Sequence, residues 1–228
     1  MLVIANWKLN HTLLSVSSWL DEVFATLLDL SVTKVALAPS FTELAYVYQE
    51  LLTEGLDQEV FVYAQNVSGF EDGQYTGEVS AKQLAEQFVS GAIIGHSERR
   101  RLFGETDADV AEKITRCLKH DIVPIVAISS IQQIENIADL VDITRITVAY
   151  EPLGAIGSGN PANPKTVSAF LGELDEKYQP ESMIYGGSVS AHDVESFLEI
   201  DNISGFLVGT ASVEPSHFVD LLKAIERY

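Results

Sequence analysis

Eight times along the 228-residue chain a short apolar or β-branched run ends in a polar or glycine-bearing turn, and a segment with apolar residues at three- and four-residue spacing usually follows. The runs are LVIANW (2–7), KVALAP (34–39), VFVYAQ (60–65), GAIIG (91–95), IVPIVAI (122–128), RITVAY (145–150), SMIYG (182–186) and GFLVG (205–209). Helical patterns between them include 15–30, 80–90, 107–120 and 190–200. Most runs are apolar throughout, as expected of parallel strands covered on both faces. Roughly 28 residues per unit is the length of one strand, one crossover helix and two short loops. The pattern therefore predicts an α/β chain folded as one (β/α)8 barrel domain over residues 1–228. A doubly wound open sheet would have to hold eight parallel strands without the glycine fingerprint G-x-G-x-x-G after the first. The fifth unit is the least regular, with only Ser129 to Leu140 left for its helix.

Composition narrows the partners. Thirty-three Asp and Glu against fourteen Lys and Arg give a net charge of −19, which repels nucleic-acid phosphates and anionic lipid alike. No run of 18 or more apolar residues appears, and the N-terminus lacks the basic and apolar regions of a secretory signal, so the expected compartment is the cytoplasm. The lone Cys117 lies in a helical pattern and is expected to be a buried thiol.

Chemistry in such a barrel sits on the loops after the strands. Reading the strand ends in turn gives Asn6 and Lys8, then Gln65 and Asn66, then His96, Ser97 and Glu98, then Glu151, then Gly186, Gly187 and Ser188, and last Gly209 and Thr210. YGGSVS (185–190) and VGTAS (208–212) are glycine-rich turns from strand to helix, suited to hold a phosphate on exposed backbone N–H groups. Lys8 on the same rim supplies local positive charge, because remote carboxylates are screened beyond about 8 Å.

Glu151 ends a strand, and PLGAIGSGNP (152–161), bounded by prolines and holding three glycines, reads as a mobile lid beyond it. A carboxylate under a closing lid is a candidate general base. His96 is expected to start a short helix, where neutral imidazole can donate to a carbonyl oxygen. Glu98 has either Lys8 or Arg99 as a partner, and spacing does not choose. Together these groups suit moving a proton beside a carbonyl. With no HExxH, no GxSxG and no metal-ligand spacing, hydrolysis is disfavoured and no cofactor or metal is expected.

The stretches NWKLN (6–10), AQNVS (64–68), YTGEVS (75–80), GHSERR (95–100), FGE (103–105), AYEP (149–152), AIGSG (155–159), YGGSV (185–189) and GFLVG (205–209) resemble the triosephosphate isomerases, in that family's order over nearly the whole chain. The resemblance implies a TIM barrel that interconverts dihydroxyacetone phosphate and D-glyceraldehyde 3-phosphate through an enediol(ate). It implies Glu151 as base, His96 as electrophile, and Lys8 and Asn6 on the substrate. Gly157 in the lid, Ser188, Gly209 and Thr210 would bind phosphate. It also implies a homodimer in which loop 66–80 enters a second subunit, with Thr76 near its tip. Four features depart from the family. Gly154 stands in the first lid hinge in place of an aromatic residue, Thr210 replaces a glycine, AISS (127–130) replaces Cys-x-Gly-Glu, and the stretch from there to Glu151 is short. A non-catalytic phosphate-binding barrel is the alternative from another class, though it has no need of a base. Another phosphosugar isomerase would carry different side chains at these strand ends.

Overall fold

A computed structural model describes residues 1–155 and 159–228. The strands β1 (Leu2–Asn6), β2 (Lys34–Ala38), β3 (Val60–Ala64), β4 (Gly91–Ile94), β5 (Val123–Ile128), β6 (Thr147–Tyr150), β7 (Ser182–Tyr185) and β8 (Gly205–Val208) form a closed parallel barrel in sequence order. Closure occurs where β1 pairs with β8, Leu2 beside Gly205. A Cβ on Gly205 would stand 1.9 Å from the Leu2 carbonyl oxygen, so the seam admits only glycine.

Alternation along each strand splits the core into two layers. Ile4, Ala36, Tyr63, Ile93, Ile125, Ala149, Ile184 and Leu207 fill the barrel interior. Their neighbours, such as Val3, Val35, Ile94, Val126 and Val208, face the helices. Both faces are buried, which is why the strands read as unbroken apolar runs.

The helices are α1 (Leu13–Leu28), α2 (Leu44–Glu54), α3 (Ala81–Glu86), α4 (Ser97–Phe103), α5 (Asp107–Lys119), α6 (Ile131–Ala138), α7 (Pro164–Tyr178), α8 (Glu195–Leu198) and α9 (Pro215–Glu226). Thr106 and Asp109 form a capping box at the start of α5, and acidic residues in its first turn with basic ones in its last complement the helix dipole. Cys117 lies buried on its inner face, where burial pushes the thiol up to about 12. The irregular fifth unit is completed by α6, whose Ile134 and Ile137 are buried, while Gln133 accepts the Ser129 N–H at 2.7 Å.

The helix expected over 190–200 is α-helical only at Glu195–Leu198. Asp193 instead accepts the Ser190 N–H and hydroxyl at 2.8 and 2.9 Å, folding the start of that segment as a side-chain-closed turn. The first helix begins at Leu13 and the sixth strand at Thr147, each two residues from its expected start. No helix among the described residues is long and apolar enough to cross a membrane.

Candidate active site

At the end of β1 the Asn6 carboxamide accepts the Lys8 N–H at 3.2 Å. Lys8 itself is left-handed, with φ of +52°, a conformation a lysine adopts only when its surroundings hold it there. Gln65, just past β3, does so: its Nε2 donates to the carbonyl oxygens of Lys8 at 2.9 Å and Ala38 at 2.8 Å. The Lys8 chain then runs across the mouth toward β8, where a Cβ on Gly209 would lie 3.3 Å from Lys8 Cε. Its ammonium ends 2.7 Å from Glu98 Oε1. Lys8 is therefore the partner of Glu98, while Arg99 pairs with Glu105 at 2.7 Å. Burial alone would raise the Glu98 carboxyl, but the hydrogen bond and charge of Lys8 outweigh it and hold it below its usual range.

His96 caps α4, and its Nδ1 accepts the Glu98 N–H at 3.2 Å. A nitrogen that accepts carries no proton, so the ring is neutral with its hydrogen on Nε2. Nε2 lies 3.1 Å from Glu151 Oε1. The other Glu151 oxygen accepts the Ser97 N–H at 3.0 Å. Glu151 is only 2% exposed, and desolvation raises its carboxyl despite the nearby His96, Ser97 and Lys8.

The turn after β7 leaves room for both partners of the lid segment. Glu151 Cγ would be 2.9 Å from a Cβ on Gly186, and Tyr185 Oη 2.1 Å from one on Gly187. Passing Gly187, Tyr185 Oη accepts the Ala162 N–H at 2.9 Å, and Ser188 Oγ donates to the Ala155 carbonyl at 2.6 Å. Ala155 and Ala162 are thus both tied to the end of β7 and the turn that follows it. Gly157 lies outside the described residues. Thr210 opens a short 3₁₀ turn and is absent from the positive-φ residues, so its Cβ is accommodated there.

Asn6, Lys8, His96, Glu151, Ser188, Gly209 and Thr210 line one cleft of about 600 Å³. Glu98 stands behind it on Lys8. Sequence reasoning missed the tasks of Gln65 and Tyr185, although Gln65 was visible on the rim; neither bond leaves a spacing signal. Among the described residues no three His, Cys, Asp or Glu side chains are grouped to hold a metal.

A buried carboxylate, a neutral imidazole and a lysine over a glycine-rich turn, on the C-terminal rim of a (β/α)8 barrel, form a set suited to shifting a proton next to a carbonyl, the chemistry of an isomerase. The family model of triosephosphate isomerase matches residues 1–225. Similar proteins called triosephosphate isomerase include one from Thermus thermophilus, 35% identical over 98% of each chain. Others come from Mesomycoplasma hyopneumoniae (strain 232) and Aquifex aeolicus, each 32% identical over 97% of this chain and 98% of the relative. The chain belongs to the triosephosphate isomerase family.

Proposed function

We propose that Glu151 and His96 carry the proton transfers of this enzyme, with Lys8 and Asn6 holding the substrate. The protein interconverts dihydroxyacetone phosphate and D-glyceraldehyde 3-phosphate, a reaction of glycolysis and gluconeogenesis. Glu151 takes a proton from the carbon bearing the hydroxyl, while His96 Nε2–H donates to the adjacent carbonyl oxygen as it gains charge. The former carbonyl oxygen of the enediol(ate) takes up the Nε2 proton, and the neighbouring hydroxyl returns its own proton to Nε2 as Glu151 delivers the carbon-bound proton to the other carbon, so atoms and charge balance without a cofactor. Ser188, the backbone of Gly209 and Thr210, and Gly157 in the lid bind the phosphate. Closure of the lid holds water off the intermediate and suppresses loss of phosphate. Glu98 keeps Lys8 aimed across the mouth.

The observation that carries the reading is the buried Glu151 carboxylate, 3.1 Å from an imidazole whose other nitrogen is already occupied. It is tested by conversion of D-glyceraldehyde 3-phosphate by the purified chain beside Glu151→Gln. The expected result is turnover by the parent and a loss of about a thousandfold or more in the variant, on the scale of a lost general base with its positioning. Inactivity of both, with phosphate ligands still bound, would make the barrel a binder.

The whole chain, 1–228, acts as one barrel domain in the cytoplasm, and its partner is a second copy of itself. Loop 66–80 supports the homodimer. Its aromatics Phe70 and Tyr75 stack at 4.0 Å with both rings close to half exposed. Leu9, Leu13 and Leu14, after β1 and at the start of α1, are exposed as well, Leu9 by 94%. Exposed apolar surface of this kind supports an association surface. Thr76 at the loop tip would reach the partner's cleft.

A further inference from the structure

Gly95, the residue before His96, is gripped at both of its peptide groups. Its N–H donates to Glu105 Oε1 at 2.9 Å, and its carbonyl accepts from Arg100 Nε at 2.7 Å. Its φ is +69°, and a Cβ there would lie 2.8 Å from Val110 and 3.0 Å from Arg100 Nη2. The direction in which the chain delivers His96 is therefore set by this one residue.

Arg100 does not act alone. Its Nη1 lies 2.6 Å from Asp107 Oδ1, and the other Asp107 oxygen accepts from Asn136 Nδ2 on α6 at 2.8 Å. The guanidinium is largely buried, and Nη2 has no hydrogen-bond partner. Burying a cation with an unmade bond is costly, so a purely space-filling role would be better served by an apolar side chain. The planar fork holds a carbonyl and a carboxylate at once in one fixed geometry, which the flexible ammonium of a lysine does not fix.

We infer that Arg100 is a positioning residue for His96, acting through the Gly95 carbonyl and braced by Asp107 at the start of α5, which Asn136 of the fifth unit holds in turn. This rests on the role proposed for His96. Arg100 touches no substrate; it keeps Nε2 within reach of Glu151 and of a carbonyl in the cleft. Misplacement by about 1 Å is enough to cost a hundredfold in rate.

Arg100→Lys tests it, with kcat and KM measured on folded enzyme and the His96 ring nitrogens followed by ¹⁵N NMR. The expected result is a kcat lower by about ten- to a hundredfold, a KM within about threefold of the parent, and altered His96 ring signals. A kcat within twofold of the parent would overturn the inference, and so would a lower kcat with unaltered ring signals, since that is a general loss of structure. Asp107→Ala, which leaves Arg100 its hold on Gly95, serves if Arg100→Lys does not fold, and there the same signals should shift with a kcat loss of about three- to tenfold. His96→Gln separates the two ideas. Parent-like turnover in that variant would defeat the reading of His96 itself, whereas a large loss there with a silent Arg100→Lys would defeat only the positioning role.

Discussion

Gly186 and Glu151 share a space that holds only one side chain: a Cβ on the glycine would stand 2.9 Å from Glu151 Cγ and 3.6 Å from its Oε1. An added methyl there would press directly on the side chain that carries the carboxylate. Gly186→Ala should lower kcat by about ten- to a hundredfold, as a displaced base would, with the chain still folded. Steady-state kinetics beside circular dichroism checks it, and an unchanged kcat would show that Glu151 does not use this space.

Burial raises the Glu151 carboxyl, and this has a sign for both activity and stability. A carboxyl raised on folding stabilises the native state below its unfolded value, and that contribution is lost as pH rises through the folded value. Where the group is ionised, the fold therefore holds it buried at a cost. Glu151→Gln should melt at a higher temperature than the parent at pH 7, by about 2–4 °C for each kcal/mol in a chain of this size, and the gap should narrow in acid. The acid limb of kcat/KM should lie above the ordinary carboxylate range. Thermal melts from pH 4 to 8 decide the first point.

Gly154, in the segment proposed as the lid hinge, has no positive φ, and no described residue other than its chain neighbours lies within 4 Å of where a Cβ would stand. Alanine fits without strain, and reduced freedom in the unfolded chain should stabilise Gly154→Ala by about 0.4–1 kcal/mol. Turnover should be kept or improved. Denaturant melts and kcat together test this, and a destabilised variant would mean the hinge needs conformations alanine cannot reach.

Glu71 gathers Arg116 at 3.2 Å, Lys119 at 2.7 Å and His120 at 3.3 Å, and Arg116 also holds the Gly69 carbonyl at 2.9 Å. The hydrogen bonds of Lys119 and His120 bring the Glu71 carboxyl down to about 2. Loop 66–80 is thus held to α5 before any partner arrives, which lowers the ordering cost of association. For the proposed dimer, Glu71→Gln should raise the dissociation constant by roughly three- to tenfold and leave kcat per dimer unchanged. Specific activity against dilution, with sedimentation, reads both, and an unchanged constant would show that the clasp does not prepare the loop.

How much of this could be read from residues alone follows from what leaves a periodic or positional trace. Strands buried on both faces leave unbroken apolar runs, so the barrel and the rim positions of Lys8, His96 and Glu151 were legible. Ser190 to Asp193 were not, because a side-chain hydrogen bond replaces helix there without disturbing the apolar spacing. Lys8 and Glu98 are ninety positions apart, and only the curvature of the barrel brings their ends together. The reach of Tyr185 to Ala162 depends on the missing Cβ of Gly187, which in the sequence looks like one more turn glycine. The effect of Thr210 turned on a single backbone angle that no spacing encodes.

Lys8 is twisted into a left-handed backbone and kept there by a carboxamide from β3's end and another from β1. Such a twist costs of order 1–3 kcal/mol wherever it occurs. Here it is settled once, while the chain folds, before any substrate arrives. In the role proposed for Lys8, each arriving substrate then finds its cation already aimed, and the cost of arranging it does not recur with each turnover.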